Sequence, residues 1–256
     1  MNKAPAGQPP RLELERTALF LDYDGTLVAI APTPDEAVAD DGLRHLLQTL
    51  DGRLQGALAL VSGRPVADID RFLHPDRYTI AGLHGLELRR RDGREMALGG
   101  AEAALDRARQ ALRSFSAEAP GTMLEDKRLT VALHYRGAPA VEDEARALAA
   151  RLVEESGGAL QLLAGKMVVE LLPAGRDKGR AIAELLELPE FAGRRPVFVG
   201  DDVTDEAGFR TVNERGGISA RVGTADRRTE ALWRLEDVAA LRGWLRAALD
   251  DDAARG

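Results

Sequence analysis

The sequence predicts an α/β protein in which a parallel sheet flanked by helices is interrupted by an inserted α+β unit. Three observations carry this. Short apolar runs that stop abruptly at polar or glycine residues recur through the first and last thirds of the chain, as buried parallel strands do. Apolar stripes at helical spacing accompany them. The middle of the chain instead reads helix, strand, strand, helix, strand, strand, an order that suits hairpins building an antiparallel sheet.

The first apolar run is 17–21, Thr-Ala-Leu-Phe-Leu. A helix is predicted over 41–50, where Leu43, Leu46, Leu47 and Leu50 share a face. Runs at 57–61 and 78–81 are stopped by Ser62-Gly63-Arg64-Pro65 and by Gly82. In the middle, Ala101, Ala104, Leu105, Ala108, Leu112 and Phe115 line one helical stripe, and strands are predicted near 122–125 and 129–135. Val141, Ala145, Leu148 and Leu152 mark a second helix, followed by strands near 159–163 and 167–172 with Gly165 at their turn. The last third returns to the first pattern: a helix over 178–186, strands at 196–199 and 218–222, and a final helix carrying Leu241 and Leu245. The division is thus a Rossmann-like core of residues 1–97 and 173–256, with 1–10 a flexible tail, around an α+β unit of residues 98–172. In open α/β sheets ligands bind outside the carboxyl ends of the parallel strands, so chemistry is expected there.

Composition narrows the function classes. The chain has 256 residues, 45% of them hydrophobic, as a folded protein needs. Lys and Arg total 35 against 42 Asp and Glu, a formal charge of -7. That balance argues against a general nucleic-acid binder, which needs a basic face. There is no cysteine, which excludes disulfides, thiolate metal sites and cysteine nucleophiles together. The first residues lack the apolar stretch of a signal peptide, and no run approaches the roughly 18 apolar residues of a membrane span. A cytoplasmic protein with neither nucleic-acid nor membrane partners is the expectation. The run 88–94, Leu-Arg-Arg-Arg-Asp-Gly-Arg, reads as a charged hairpin with a solvated face.

Four polar clusters fall where chemistry is expected. Asp22 and Asp24, in Asp22-Tyr23-Asp24-Gly25-Thr26, follow the first strand two positions apart, and in extended chain both carboxylates would point the same way. Like charges held close need a cation or a shared proton, and magnesium, a hard ion that prefers oxygen, is the natural partner. Gly25 permits a tight turn, and Thr26 offers a hydroxyl to a phosphate oxygen. The plain alternative is a solvated turn ending a strand. Gly200-Asp201-Asp202-Val203-Thr204-Asp205 brings more carboxylates to the same sheet edge, with N-capping as the alternative for Asp202 and Asp205. Ser62 ends another strand and is placed to donate to a phosphate oxygen or to cap the helix that Pro65 opens. Lys178 opens a helix after the insert, as a phosphate-neutralising cation or as an ordinary surface lysine.

In that order these clusters resemble the haloacid-dehalogenase-like phosphatase superfamily, with an insert similar to the cap of its second class. The closer resemblance is to the trehalose-6-phosphate phosphatase family. It is carried by 20–27, Phe-Leu-Asp-Tyr-Asp-Gly-Thr-Leu, by Ser62-Gly63-Arg64, by Ala81-Gly82-Leu83-His84-Gly85 and by 200–206. In the insert it rests on Leu124-Glu125-Asp126-Lys127, His134-Tyr135-Arg136 and Lys166-Met167-Val168-Val169-Glu170. The resemblance implies that Asp22 is a nucleophile forming an aspartyl-phosphate and that Asp24 is the general acid and base. It implies Mg2+ held by Asp22, Asp24 through its carbonyl, and Asp201, with Asp202 and Asp205 behind them. Thr26, Ser62 and Lys178 would bind the transferring phosphoryl group. Glu125, Lys127 and Glu170 would bind sugar hydroxyls, with Arg64, His84, Arg136 and Lys166 as further substrate contacts, while His134 is expected to serve packing or a structural hydrogen bond. The partner implied is a small-molecule sugar phosphate, and the expected assembly is a monomer. The nearest rivals are phosphatases for sucrose phosphate or mannosyl-phosphoglycerate. From other classes come a phospho-acceptor signalling domain and a catalytically silent domain that binds a sugar phosphate.

Overall fold

The computed structural model describes residues 7–31, 36–73, 78–97, 101–165, 167–224 and 228–253. The chain divides into two compact units, one of Met1–Met96 with Asp177–Gly256 and one of Ala97–Arg176.

The first unit is built on an eight-stranded sheet. Its central strand β1 (Thr17–Leu21) is buried at every residue, which is why the run reads as continuously apolar. Strands β2 (Leu58–Val61) and β3 (Thr79–Gly82) lie beside it, and β10 (Arg195–Gly200), β11 (Ile218–Val222) and β12 (Trp233–Leu235) extend the sheet on the other side. These six are parallel to their neighbours. Beyond β3, β4 (Glu87–Arg89) turns antiparallel and β5 (Glu95–Ala97) closes the edge.

Helices cover the sheet. In α1 (Asp41–Arg53) the four predicted leucines are buried, and Asp40 caps it by accepting from Leu43 N at 2.7 Å. The other helices are α2 (Val66–Leu73), α5 (Lys178–Leu185), α6 (Glu206–Glu214) and α7 (Val238–Ala253). Helix α1 packs on α7 and α5 on α6. Aromatic pairs fill the layers between: Phe20 of β1 stacks on Phe191 at 5.3 Å, and Phe198 of β10 meets Phe209 of α6 at 5.3 Å.

The second unit is a four-stranded antiparallel sheet in the order β6 (Met123–Asp126), β7 (Val131–His134), β9 (Val168–Pro173), β8 (Leu160–Gly165). Its helices α3 (Glu102–Glu118) and α4 (Glu142–Glu155) pack on the face carrying Val131, Leu133, Val169 and Leu171. Alternation then sends Glu125, Ala132 and Glu170, which are register partners across three strands, to the other face. Gln161 of β8 donates to Arg176 O and accepts from Gly175 N, so this unit ends beyond β9.

Several local expectations need correction. Strand β7 starts at Val131 because 127–130 form a turn in which Lys127 N donates to Thr130 O and Arg128 takes φ 68°. Gly165 closes β8, paired with Val168. The run 88–94 is a hairpin, yet it is not wholly a solvated face. Arg89 is buried and pairs with Asp70 of α2, while Arg91 pairs with the buried Asp51 of α1. A charge run can therefore be spent on clamping helices beneath it. Among the described residues no helix is long and apolar enough to cross a membrane.

Phe191 is fully buried against the strand that leads to Asp22. Phe191→Ala should cost about 3–5 kcal/mol of stability, read from the midpoint of urea unfolding.

Candidate active site

The carboxyl ends of β1, β2 and β10 lie side by side on the sheet, and each is followed by a polar residue: Asp22, Ser62 and Asp201. Asp22 N still joins the ladder by donating to Val199 O at 3.0 Å, so the carboxylate leaves the sheet from a fixed backbone. The chain then turns at Gly25, where φ is 74° and an added Cβ would lie 2.2 Å from Asp201 Oδ2. Glycine is required there on both counts.

Lys178 is the centre of the cluster. It is 3% exposed, and its Nζ donates to Asp22 Oδ1 and to Asp205 Oδ1, each at 2.7 Å. Asp177 caps its helix by accepting from Arg180 N. The surface-lysine alternative is thereby excluded. Burial works against the ammonium, but the Asp205 and Asp22 carboxylates outweigh it and hold the lysine protonated far above its ordinary range. Asp22 is pushed up well above the usual carboxylate range, first by burial and then by the carboxylates of Asp205 and Asp201, with Lys178 opposing. Thr26 Oγ1 donates to Asp22 Oδ2 at 3.2 Å.

Asp205 has both oxygens engaged. Oδ1 takes Lys178, and Oδ2 accepts from Asp201 N at 2.9 Å and Asp202 N at 2.8 Å. Asp202 is the N-cap of the short 3-10 helix Val203–Asp205, in a reciprocal box with Asp205. The capping alternative thus holds for Asp202, whereas Asp205, at the N-cap position of α6, makes no side-chain cap bond to that helix and anchors the lysine instead. Oxygens of Asp22, Asp201 and Asp205 all lie within 4.8 Å of one another. Asp205 turns both oxygens to donors of the chain, while Asp22 and Asp201 stand at the ends of neighbouring parallel strands. The donor set is all oxygen, and it fits a hard divalent ion.

Asp24 lies apart from that cluster. Arg64 grips it with Nε to Oδ2 and Nη2 to Oδ1, both 2.6 Å, while the guanidinium lies over the rings of Tyr23 and Phe72. Ser62, 1% exposed, accepts from Arg64 N at 3.2 Å. His84 is buried with φ 57°, in a turn where Leu83 is also at positive φ. Its ring lies where a Cβ on Gly63 would be 2.7 Å from Cε1, and His84 N donates to Ser62 O. Two adjacent non-glycine residues in this region cost of order 1–3 kcal/mol each. That cost is spent bringing the imidazole beside Ser62-Gly63.

In the second unit the predicted Glu125, Lys127 and Glu170 are drawn together. Lys127 Nζ lies 3.3 Å from Glu170 Oε1 and 3.8 Å from Glu125 Oε2. Two further residues hold them. Thr130 Oγ1 donates to Glu170 Oε1 at 2.6 Å, and His134 Nε2 meets Glu125 Oε2 at 2.8 Å. Burial alone would raise the Glu125 carboxyl, but His134 and Lys127 bring it below the ordinary value. Thr130, the residue before β7, was missed from sequence, although its spacing of two from Ala132 and of four from His134 was a usable signal. Arg136 is exposed just after β7. Lys166 lies outside the described residues.

Comparison with known proteins follows the same lines. Residues 20–239 match the family model described as Trehalose-phosphatase. The chain is 41% identical over 241 residues to the Escherichia coli (strain K12) trehalose-6-phosphate phosphatase, covering 94% of this chain and 89% of that protein. It is 43% identical over 235 residues to a probable trehalose-phosphate phosphatase of Sinorhizobium fredii, covering 92% and 88%. A crystal structure of a trehalose-6-phosphate phosphatase related protein superposes with a TM-score of 0.76 at 28% identity, covering 93% of this chain and 99% of that one.

Lys178→Met would leave the Asp22 and Asp205 carboxylates buried without their shared cation. It should cost about 3–5 kcal/mol of stability, measured by urea unfolding at neutral pH.

Proposed function

Because the chain belongs to the trehalose-phosphatase family, we propose that it hydrolyses trehalose 6-phosphate to trehalose and inorganic phosphate, with Asp22 as the nucleophile. The observation that carries the residue assignment is the buried Asp22 carboxylate held 2.7 Å from the Lys178 ammonium at the carboxyl end of the central strand. A nucleophile there is fixed in direction and faces a permanent positive charge.

In this reading an Asp22 oxygen attacks phosphorus, and the bond from phosphorus to the sugar oxygen breaks. Asp24 delivers a proton to that leaving oxygen. It then takes a proton from water, which attacks the aspartyl-phosphate, releases inorganic phosphate and regenerates Asp22. Both Asp24 oxygens are engaged by Arg64, so proton delivery requires one of those hydrogen bonds to be exchanged for the leaving oxygen. Thr26, Ser62 and Lys178 hold the phosphoryl oxygens, and Asp205 keeps Lys178 in place. Catalysis is then largely positioning and charge stabilisation. Mg2+ would be held by Asp22, Asp201 and the Asp24 carbonyl, and when bound it supplies positive charge to the phosphoryl oxygens and to Asp22.

The second unit supplies the reading for substrate choice. Glu125, Lys127 and Glu170 form a polar cluster on the sheet face away from its helices. Carboxylates and an ammonium pre-positioned by Thr130 and His134 suit a disaccharide, which offers many hydroxyls and little apolar surface.

Asp22→Asn should lower phosphate release from trehalose 6-phosphate by on the order of 10³-fold or more, with the circular dichroism spectrum retained. A panel of sugar phosphates, with and without Mg2+, tests the substrate. Equal rates on glucose 6-phosphate and sucrose phosphate would remove the trehalose assignment, and full activity of the variant would remove the nucleophile. Glu125→Ala should lower kcat/KM for trehalose 6-phosphate by roughly 10–100-fold, the loss of a hydrogen bond to a charged group. Hydrolysis of a small non-sugar monoester such as p-nitrophenyl phosphate should be unchanged in that variant, and a matching loss there would take Glu125 out of the sugar site.

A further inference from the structure

A cleft of about 410 Å³ lies at the other edge of the sheet. It is lined by the first residues of three strands, Thr17 of β1, Arg195 of β10 and Ile218 of β11. Asp22 and Asp201 sit beyond the opposite ends of β1 and β10. One strand length, about 16 Å for five residues, therefore separates this cleft from the catalytic cluster, and no residue is shared.

Five arginines line the cleft: Arg11, Arg16, Arg194, Arg195 and Arg215, with Glu13 the carboxylate among them. They gather on a chain whose formal charge is -7. Arg11 is pinned by Asp251 at 2.6 Å, and Arg16 faces Glu13 at 3.7 Å. The other three are oriented by neutral acceptors. Arg194 Nη2 donates to Gln55 Oε1 at 3.1 Å, Arg195 Nε to Gly216 O at 3.1 Å and Arg215 Nη1 to Thr211 O at 3.0 Å. Among the described residues no carboxylate pairs with these three. Their planes are thus steadied while their charges stay uncompensated, which is the state that suits a bidentate phosphate ligand. A phosphate monoester carries only about -1.5 to -2 at neutral pH, less than the three uncompensated charges.

We propose that this cleft is a second anion site, which takes a small polyphosphate, a ligand with two or more linked phosphate groups. The site is independent of the catalytic reading, because its residues lie at the amino ends of the strands.

The test uses the full chain and inorganic tripolyphosphate, with orthophosphate for comparison, by titration calorimetry in moderate chloride. Tripolyphosphate should bind more tightly than orthophosphate. The triple variant Arg194→Gln, Arg195→Gln, Arg215→Gln should bind it roughly tenfold or more weakly, while its hydrolysis of trehalose 6-phosphate is unchanged. A charge-matched control, Arg107→Gln, Arg113→Gln, Arg151→Gln, should bind as the wild type does. Arg16→Glu, at a side chain 82% exposed, repeats the test without disturbing packing and should also weaken binding. The proposal is overturned if tripolyphosphate binds no better than orthophosphate, if the cleft variants bind as the wild type does, or if the control loses as much as they do.

Discussion

The Lys178 ammonium buried between Asp22 and Asp205 is the interaction on which the first unit's chemistry depends. It joins three stretches that are remote in sequence, Asp22 and Lys178 alone being 156 residues apart. Two carboxylates and one ammonium could not be taken out of water separately, since each lone buried charge is expensive. Together they satisfy one another, and Asp205 closes its remaining valences on the backbone of Asp201 and Asp202. The loop after β10 is thereby fixed to the helix that resumes the core after the inserted unit. Folding of that loop, orientation of Asp22 and burial of the Lys178 ammonium become one event.

The parallel sheet makes this possible at low cost. Ladder pairing sets where Asp22, Ser62 and Asp201 leave the sheet, and the tight turn at Gly25 lets Asp201 approach the first loop. Arg64 adds a second fixed pair beside the first, holding Asp24 against an aromatic shelf of Tyr23 and Phe72. The two carboxylates of the Asp22-Tyr23-Asp24 motif thus have different partners. One is matched by a lysine inside the cluster and the other by an arginine outside it. Neighbours in sequence with unlike environments are how a pair of identical side chains comes to have two roles.

In the second unit the same economy runs through an antiparallel sheet. Alternation sends Val131, Leu133, Val169 and Leu171 to the helices and leaves Glu125, Glu170 and His134 for the other face. Thr130 and His134 are small contributions by themselves. They hold the glutamates whose arrangement with Lys127 makes the polar cluster.

Much of this was legible in the chain itself. The apolar runs at 17–21, 57–61 and 218–222 announce buried strands because a strand covered on both faces has no polar side to show. Asp22, Asp24, Ser62 and Asp201 could be placed at one edge because strand ends are local events and parallel strands share a direction. What only the tertiary structure decided were the pairings. That Lys178 is buried, that Arg64 holds Asp24, that Arg89 and Arg91 clamp helices, and that arginines from three segments meet at the amino ends of the strands all depend on side chains distant in sequence. Arg89, Arg91 and the arginines of the cleft each read alone as an ordinary surface charge. A charge has no periodicity to betray its neighbours, whereas a hydrophobic side chain does, so the sequence determined the framework and the strand ends while the fold chose the partners.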